Sequence, residues 1–227
     1  MNKKFSELAK KSKVIVIKVG SNILVNEKHS LRKKWLASLV EDVQKLQKKG
    51  SKIIIVSSGA IALGRKILSK KKLTNLHEKQ AAASIGQIQL SQEWQKAFAK
   101  CKIQSSQILI TAEDLNERRK YLNIRNTIYS LMDLNVVPII NENDTTSTEE
   151  IRFGDNDKLS AMIANVLSAE LLILLSDVNG LYTSNPKKSA QAKLITSVEE
   201  VNQQIEKYID KDLSEYGSGG MLAKVNA

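Results

Sequence analysis

Residues 141–157 read NENDTTSTEEIRFGDND and hold six of the chain's 24 carboxylates, with amides and hydroxyls among them, directly after the apolar run NVVPII. A run of acids is usually a solvated loop. Here it stands in a basic chain, with 35 Lys and Arg and a formal net charge of +11, and it is one of four polar clusters that follow apolar runs. Lys18-Val19-Gly20-Ser21 ends one such run, Ser57-Ser58-Gly59-Ala60 a second, Asn141-Glu142-Asn143-Asp144 a third, and Ser176-Asp177 a fourth. In an open α/β sheet, ligands bind beyond the carboxyl ends of the strands. Four strands ending this way would bring carboxylates, amides, hydroxyls and a lysine to one edge.

Anion chemistry is the first possibility to weigh. GAIALGRK (59–66) has the outline of a Walker A loop, but Arg65 stands where its Lys belongs and Lys66 where its Ser or Thr belongs. That match fails. No G-x-G-x-x-G follows a strand either. What remains are glycine-bearing turns, SSGA and GSGGM (217–221), whose backbone N–H groups can face an anion. Lys18 lies inside an apolar strand, where a lysine either snorkels to solvent or is held for an anion.

The elements that must position these residues alternate. KVIVIKV (13–19) predicts a buried strand, and residues 31–50 predict a helix, with Leu31, Trp35, Leu39, Val43 and Leu46 at helical spacing and Gly50 closing it. KIIIVSS is a second buried strand, followed by a glycine-led helix in GAIALGRKIL. Residues 78–100 predict a long helix whose small residues allow close packing against a neighbour. Strand IQSSQILI (103–110), a helix across 116–134, strand VVPII, helix DKLSAMIANVLSA and strand ELLILLS follow, with a weak helical pattern over 198–215. The order predicts a single α/β domain with a largely parallel central sheet sandwiched between helices. Residues 1–12 read as a basic N-terminal extension.

Composition narrows the function classes. Hydrophobic residues make up 42% and charged residues 26%, which is ordinary for a globular domain, and no apolar run approaches membrane-spanning length. The single cysteine, Cys101, rules out a disulfide within the chain and fits a reducing cytoplasm. Of the basic residues 29 are Lys and six are Arg, and no basic cluster carries interleaved aromatics, so the charge does not read as a nucleic-acid surface.

IKVGSNIL, IIIVSSGAIALG, VVPIINENDTTSTEEIRFGDNDKLSA, LLLSDVNGLYTSNP and GSGGMLAK occur in this order and spacing. Together they resemble the amino acid kinase family from about Lys13 to Ala227. The NEND…FGDND pair is the most specific and points to the branch that phosphorylates the γ-carboxylate of L-glutamate with ATP, the first step of proline synthesis. The resemblance implies that Lys18 and Lys224 approach the phosphates from opposite sides while Asp157 holds both lysines. It implies a substrate site of Ser58, Gly59, Asn141, Asp144, Asp155 and Asn156, with Asp144 on the substrate ammonium and Ser58 and Asn156 on its oxygens. Nucleotide contacts are implied at Lys18, Gly20, Ser176 and Asp177, and along Ser218, Gly219, Gly220, Met221, Leu222, Ala223 and Lys224. Mg²⁺ is expected on the nucleotide oxygens, with no protein side chain assigned as its ligand. Ala223 stands where relatives often have Thr. Glu149 and Glu150 read as solvated, and Glu142 has no assigned role.

The same resemblance implies a cytoplasmic homo-oligomer inhibited by proline at a site overlapping that of glutamate, with neither nucleic acid nor membrane as partner. The family continues past Lys224 through a further helix and strands, and many bacterial members add a PUA domain. A kinase domain over 1–227 with short C-terminal elements and no PUA domain is therefore expected. Three alternatives stay open: another substrate (carbamate, N-acetylglutamate, aspartate or a nucleoside monophosphate), a catalytically silent nucleotide-binding or regulatory module, and a basic RNA-associated protein.

Overall fold

Five short runs of Val, Ile and Leu form the centre of the molecule: β1 (Val14–Val19), β2 (Lys52–Ser57), β3 (Ser105–Ile110), β4 (Val137–Glu142) and β5 (Leu171–Leu175). In this computed structural model, which describes residues 3–70, 72–147, 156–203, 205, 208 and 221–227, they build one sheet in the order β3-β4-β2-β1-β5. Every pairing is parallel, so all five carboxyl ends share one edge. The register sets Lys18 beside Val56 and Leu174, and Val19 beside Ser57 and Leu175.

Helices among the described residues include α1 (Lys3–Lys11), α2 (Ser21–Leu24), α3 (Lys33–Gln47), α4 (Ala60–Ile67), α5 (Leu76–Lys100), α6 (Ala112–Asn116), α7 (Arg118–Asp133), α8 (Asn156–Val166) and α9 (Met221–Asn226). They cover both faces of the sheet, as a parallel sheet requires. Ile15, Ile17 and Val19 pack with residues of α3, α4 and α5, including Leu36, Val40, Trp94 and Phe98. Val16, Ile54 and Val56 pack with Ile128 and Met132 of α7 and Leu159 and Ile163 of α8. Strand side chains alternate between faces. Lys18, two residues after Val16, therefore joins the α8 face.

Helices α4 and α5 cross with their backbones in close approach. A Cβ at Gly64 would lie 1.7 Å from the Ala82 carbonyl oxygen, and one at Gly86 would lie 1.8 Å from that of Ala60. The small residues expected to permit close packing do so with backbone against backbone.

Three details differ from the sequence expectations. Residues 3–11 are helical, and the chain just after them is tied down: Ser51 Oγ donates to the Ser12 carbonyl at 2.9 Å. The strand through Pro138 runs two residues further, because the backbone of Asn141 and Glu142 pairs with Leu109 and Ile110. A short helix, α6, precedes the one expected from 116, and it starts at a capping box in which Thr111 and Asp114 satisfy each other's backbone N–H. Most of the weak helical pattern over 198–215 lies outside the described residues. No helix among those described is long and apolar enough to cross a membrane.

Candidate active site

The carboxyl edge of β1, β2 and β4 gathers the polar residues. Lys18, near the end of β1, points to the α8 face, and Asp157 in the first turn of α8 meets it: Lys18 Nζ lies 2.7 Å from Asp157 Oδ1. The other carboxylate oxygen, Oδ2, lies 3.2 Å from Lys224 Nζ of α9. Asp157 is fully buried, and the two lysine side chains are 7% and 17% exposed. One carboxylate thus holds two lysine side chains. The Asp157 charge also suits the positive end of the helix dipole. Burial pulls the Lys18 ammonium below its ordinary range and the nearby Lys224 charge adds to this, while hydrogen bonding and attraction to Asp157 oppose it. A lysine so placed is held, not snorkelling.

Beside this cluster is a web of amides and hydroxyls. Asn156, the first residue of α8, donates through Nδ2 to Ser58 Oγ at 2.8 Å, Asn141 Oδ1 at 3.0 Å and the Ser57 carbonyl at 3.3 Å. Its Oδ1 is buried and has no partner among the described residues. This alters the role expected for Asn156. Its donor is spent within the protein, and what it offers a ligand is an acceptor.

Gly59 caps α4 at φ +110°, in the left-handed region that favours glycine, and so turns the chain from β2 into the helix. Gly20 serves differently from the role implied for it. Its N–H donates to the Leu175 carbonyl at 3.1 Å, and a Cβ there would sit 3.1 Å from that same oxygen and 3.8 Å from Lys18 Nζ. Its lack of a side chain keeps the space above Lys18 open, while its amide is already committed.

Asp144 lies two residues beyond the end of β4, in the turn that follows, not in the strand itself. Burial pushes its carboxyl up to about 6, with no cation among the described residues offsetting the effect. Ser176 and Asp177 follow β5. There burial raises the Asp177 carboxyl, but Lys187 at 3.0 Å, with hydrogen bonds, outweighs it and holds the group below its ordinary value. Met221 and Ala223 are half-buried on α9 and Leu222 is exposed. Asp155, Ser218, Gly219 and Gly220 lie outside the described residues, as do Glu149 and Glu150.

The structure adds one residue that the sequence reading passed over. Gln87 of α5 accepts from Asn141 Nδ2 at 2.8 Å. It occupies the stripe Ala83–Gln87–Leu90–Trp94, in which the other three members are buried and apolar. A polar residue in such a stripe is a readable signal. The described residues contain no group of three or more His, Cys, Asp or Glu able to hold a metal ion. Chemically, the edge offers two fixed lysines for anionic groups, an amide carbonyl without a partner among the described residues and a carboxylate for a donor, and a glycine-opened approach.

A profile described as "Amino acid kinase family" matches residues 13–227. Glutamate 5-kinase of Pelagibacter ubique is 50% identical over 219 residues, spanning 96% of this chain and 60% of that protein. The enzyme of the same name from Nitrosospira multiformis is 47% identical, with 96% and 59% covered, and that of Brucella abortus is 49% identical, with 94% and 57% covered. The chain thus spans about three fifths of the length of these curated relatives. Among solved structures, T. acidophilum isopentenyl phosphate kinase superposes with a TM-score of 0.60 at 16% identity, over 87% of this chain and 84% of that one. UMP kinase from Bacillus anthracis does so with a TM-score of 0.58 at 18% identity, over 81% and 72%. At these identities the likeness is one of fold.

Proposed function

Because this chain belongs to the amino acid kinase family, we propose that it moves the γ-phosphoryl group of ATP to the side-chain carboxylate of L-glutamate. A γ-carboxylate oxygen forms the new bond to phosphorus as the bond to the β-phosphate oxygen breaks, giving glutamyl 5-phosphate and ADP. This would be the first step of proline synthesis. The nucleophile is already ionised, so the reaction asks for alignment of two anions and for cations where charge spreads, not for a general base.

The observation that carries this reading is the Lys18–Asp157–Lys224 cluster, with lysine-to-carboxylate distances of 2.7 and 3.2 Å. Asp157 fixes both ammonium groups before any ligand arrives, so little reorganisation is needed when charge develops. Gly20 leaves room over Lys18. Asp144 and the Asn156 carbonyl supply acceptors for an α-ammonium, while Ser58 and the start of α4 face the substrate oxygens. Ser176, Asp177 and the segment from Ser218 to Lys224 would contact the nucleotide. The relatives at 47 to 50% identity named glutamate 5-kinase support glutamate as the acceptor.

Mg²⁺ bound with the nucleotide would neutralise phosphate charge. Among the described residues no group of three or more His, Cys, Asp or Glu could hold the ion, and both Asp157 oxygens already face lysines. The remaining parts of the reading are a cytoplasmic homo-oligomer and inhibition by proline at the amino-acid site.

ADP release measured over a panel of L-glutamate, L-aspartate, N-acetyl-L-glutamate, carbamate and UMP tests the substrate. L-Glutamate is expected to give kcat/KM at least tenfold above each of the others, the discrimination expected when buried polar groups are left unpaired by the wrong ligand. Preference for N-acetyl-L-glutamate would overturn the assignment, because its acetylated nitrogen carries no charge for Asp144.

A further inference from the structure

Four side-chain amides run head to tail from the outer edge of the sheet to the proposed site. Gln87 Nε2 donates to Gln107 Oε1 and to Ser91 Oγ, each at 3.2 Å. With its two amide hydrogens committed on that side, Gln87 turns Oε1 toward β4 and accepts from Asn141 Nδ2 at 2.8 Å. Asn141 Oδ1 then faces the opposite way, accepting from the Glu142 N–H at 2.9 Å and from Asn156 Nδ2 at 3.0 Å. Asn156 Nδ2 also meets the Ser57 carbonyl, which can accept but never donate, so reversing this amide would set oxygen against oxygen. The chain ends at Asn156 Oδ1, a buried acceptor without a partner among the described residues. A buried polar atom left unpaired carries a desolvation cost that a matching donor removes.

We propose that Gln87 is a positioning residue that holds this chain of amides in place, so that Asn156 presents its carbonyl oxygen to the α-ammonium of the amino-acid substrate. Gln87 touches neither substrate nor nucleotide. It acts through Asn141, which has one acceptor and one donor to place and finds only one arrangement that satisfies both neighbours. The backbone of Glu142 and Ser57 fixes which way Asn141 and Asn156 face, and Gln87 on α5 holds Asn141 in that arrangement. Glutamate enters this statement through the function proposed above; the order of the amides does not depend on it.

Two readouts separate the two ideas. The first is hydrogen exchange of the Asn141 and Asn156 side-chain amides by NMR on the chain without ligand. In Gln87→Met, which can neither accept from Asn141 nor hold Gln107, their exchange should quicken about tenfold, equivalent to about 1.4 kcal/mol, while the amides of β1 and β2 keep wild-type rates. Gln87→Glu keeps an acceptor facing Asn141 and should stay within about threefold of wild type. If Gln87→Met does not fold, Gln107→Met removes the outer anchor at an exposed position and should loosen the same amides. The second readout is kinetic. KM for L-glutamate should rise about tenfold in Gln87→Met, with KM for ATP and kcat within twofold. Unchanged side-chain exchange, or equal rises in both KM values, would overturn the proposal. If the unaltered chain fails to phosphorylate glutamate, the assigned function falls, and the exchange rates still decide whether Gln87 orders the amides.

Discussion

At the scale of single residues, the proposed function sets binding against stability at Asp144. Its carboxyl is pushed up to about 6 by burial, against an ordinary value of 3.8. An acid whose folded value lies above its unfolded one holds protons more tightly when folded. Folding stability is therefore intact below about pH 4, declines as pH rises from about 4 to about 6, and stays lowered above that. The full cost is about 3 kcal/mol, from roughly two units at 1.36 kcal/mol each. Asp144→Asn removes the charge and should raise stability at pH 7.5 by about 1–3 kcal/mol in chemical denaturation, with no gain at pH 4. The same substitution should raise KM for L-glutamate ten- to hundredfold, equivalent to about 1.4–2.8 kcal/mol, and leave KM for ATP unchanged. Proline inhibition, in the proposed function, should weaken in parallel. In the unaltered protein, KM for glutamate should climb as pH falls below about 6 and Asp144 takes up a proton. A variant no more stable at pH 7.5, or one that binds glutamate normally, would remove Asp144 from the ammonium site.

Secondary-structure elements transmit the site's geometry through the α4–α5 crossing. Ala60 opens α4 directly after Ser58 and Gly59, and its carbonyl is what a Cβ at Gly86 would strike. Backbone cannot rotate away as a side chain can. Gly86→Ala should therefore destabilise by about 3 kcal/mol or more, although alanine is intrinsically about 1 kcal/mol the better helix former. Ser84→Ala, on the exposed side of the same helix, should be neutral. Urea denaturation of both variants checks this, and a Gly86→Ala protein as stable as Ser84→Ala would mean that the crossing yields easily. Much of this level was legible beforehand. The β-branched runs announced β1 and β2, and the small residues of α5 announced a close neighbour. The extension of β4 through Asn141 and Glu142 was not, because polar residues after VVPII look like a loop until β3 supplies their backbone partners. The capping box of Thr111 and Asp114 was present in the letters and was overlooked. The lysines of α1 read as a solvated extension because nothing local reveals that Ser12 is held by Ser51.

For the whole molecule, the parallel topology matters most: it brings all five carboxyl ends to one edge and places β1, β2 and β4 side by side in the middle. That edge could be anticipated from four polar clusters after apolar runs. Which side chains meet there could not be read from composition or spacing; the resemblance alone implied that Asp157 holds Lys18 and Lys224, which α8 and α9 bring together above β1. The Gln87–Asn141 bond was hidden for the same reason, requiring the register of α5 over β4. The most direct measurement of the proposed reaction is hydroxylamine trapping with ATP, Mg²⁺ and L-glutamate. An acyl phosphate at the γ-carboxylate would be captured as γ-glutamyl hydroxamate, appearing together with ADP. In Lys18→Met its formation should slow by about 100- to 1,000-fold, the loss expected on removing one preorganised charge from the transferring phosphoryl group. ADP release without hydroxamate, or a Lys18→Met variant forming it at the unaltered rate, would contradict phosphoryl transfer to glutamate between the two lysines.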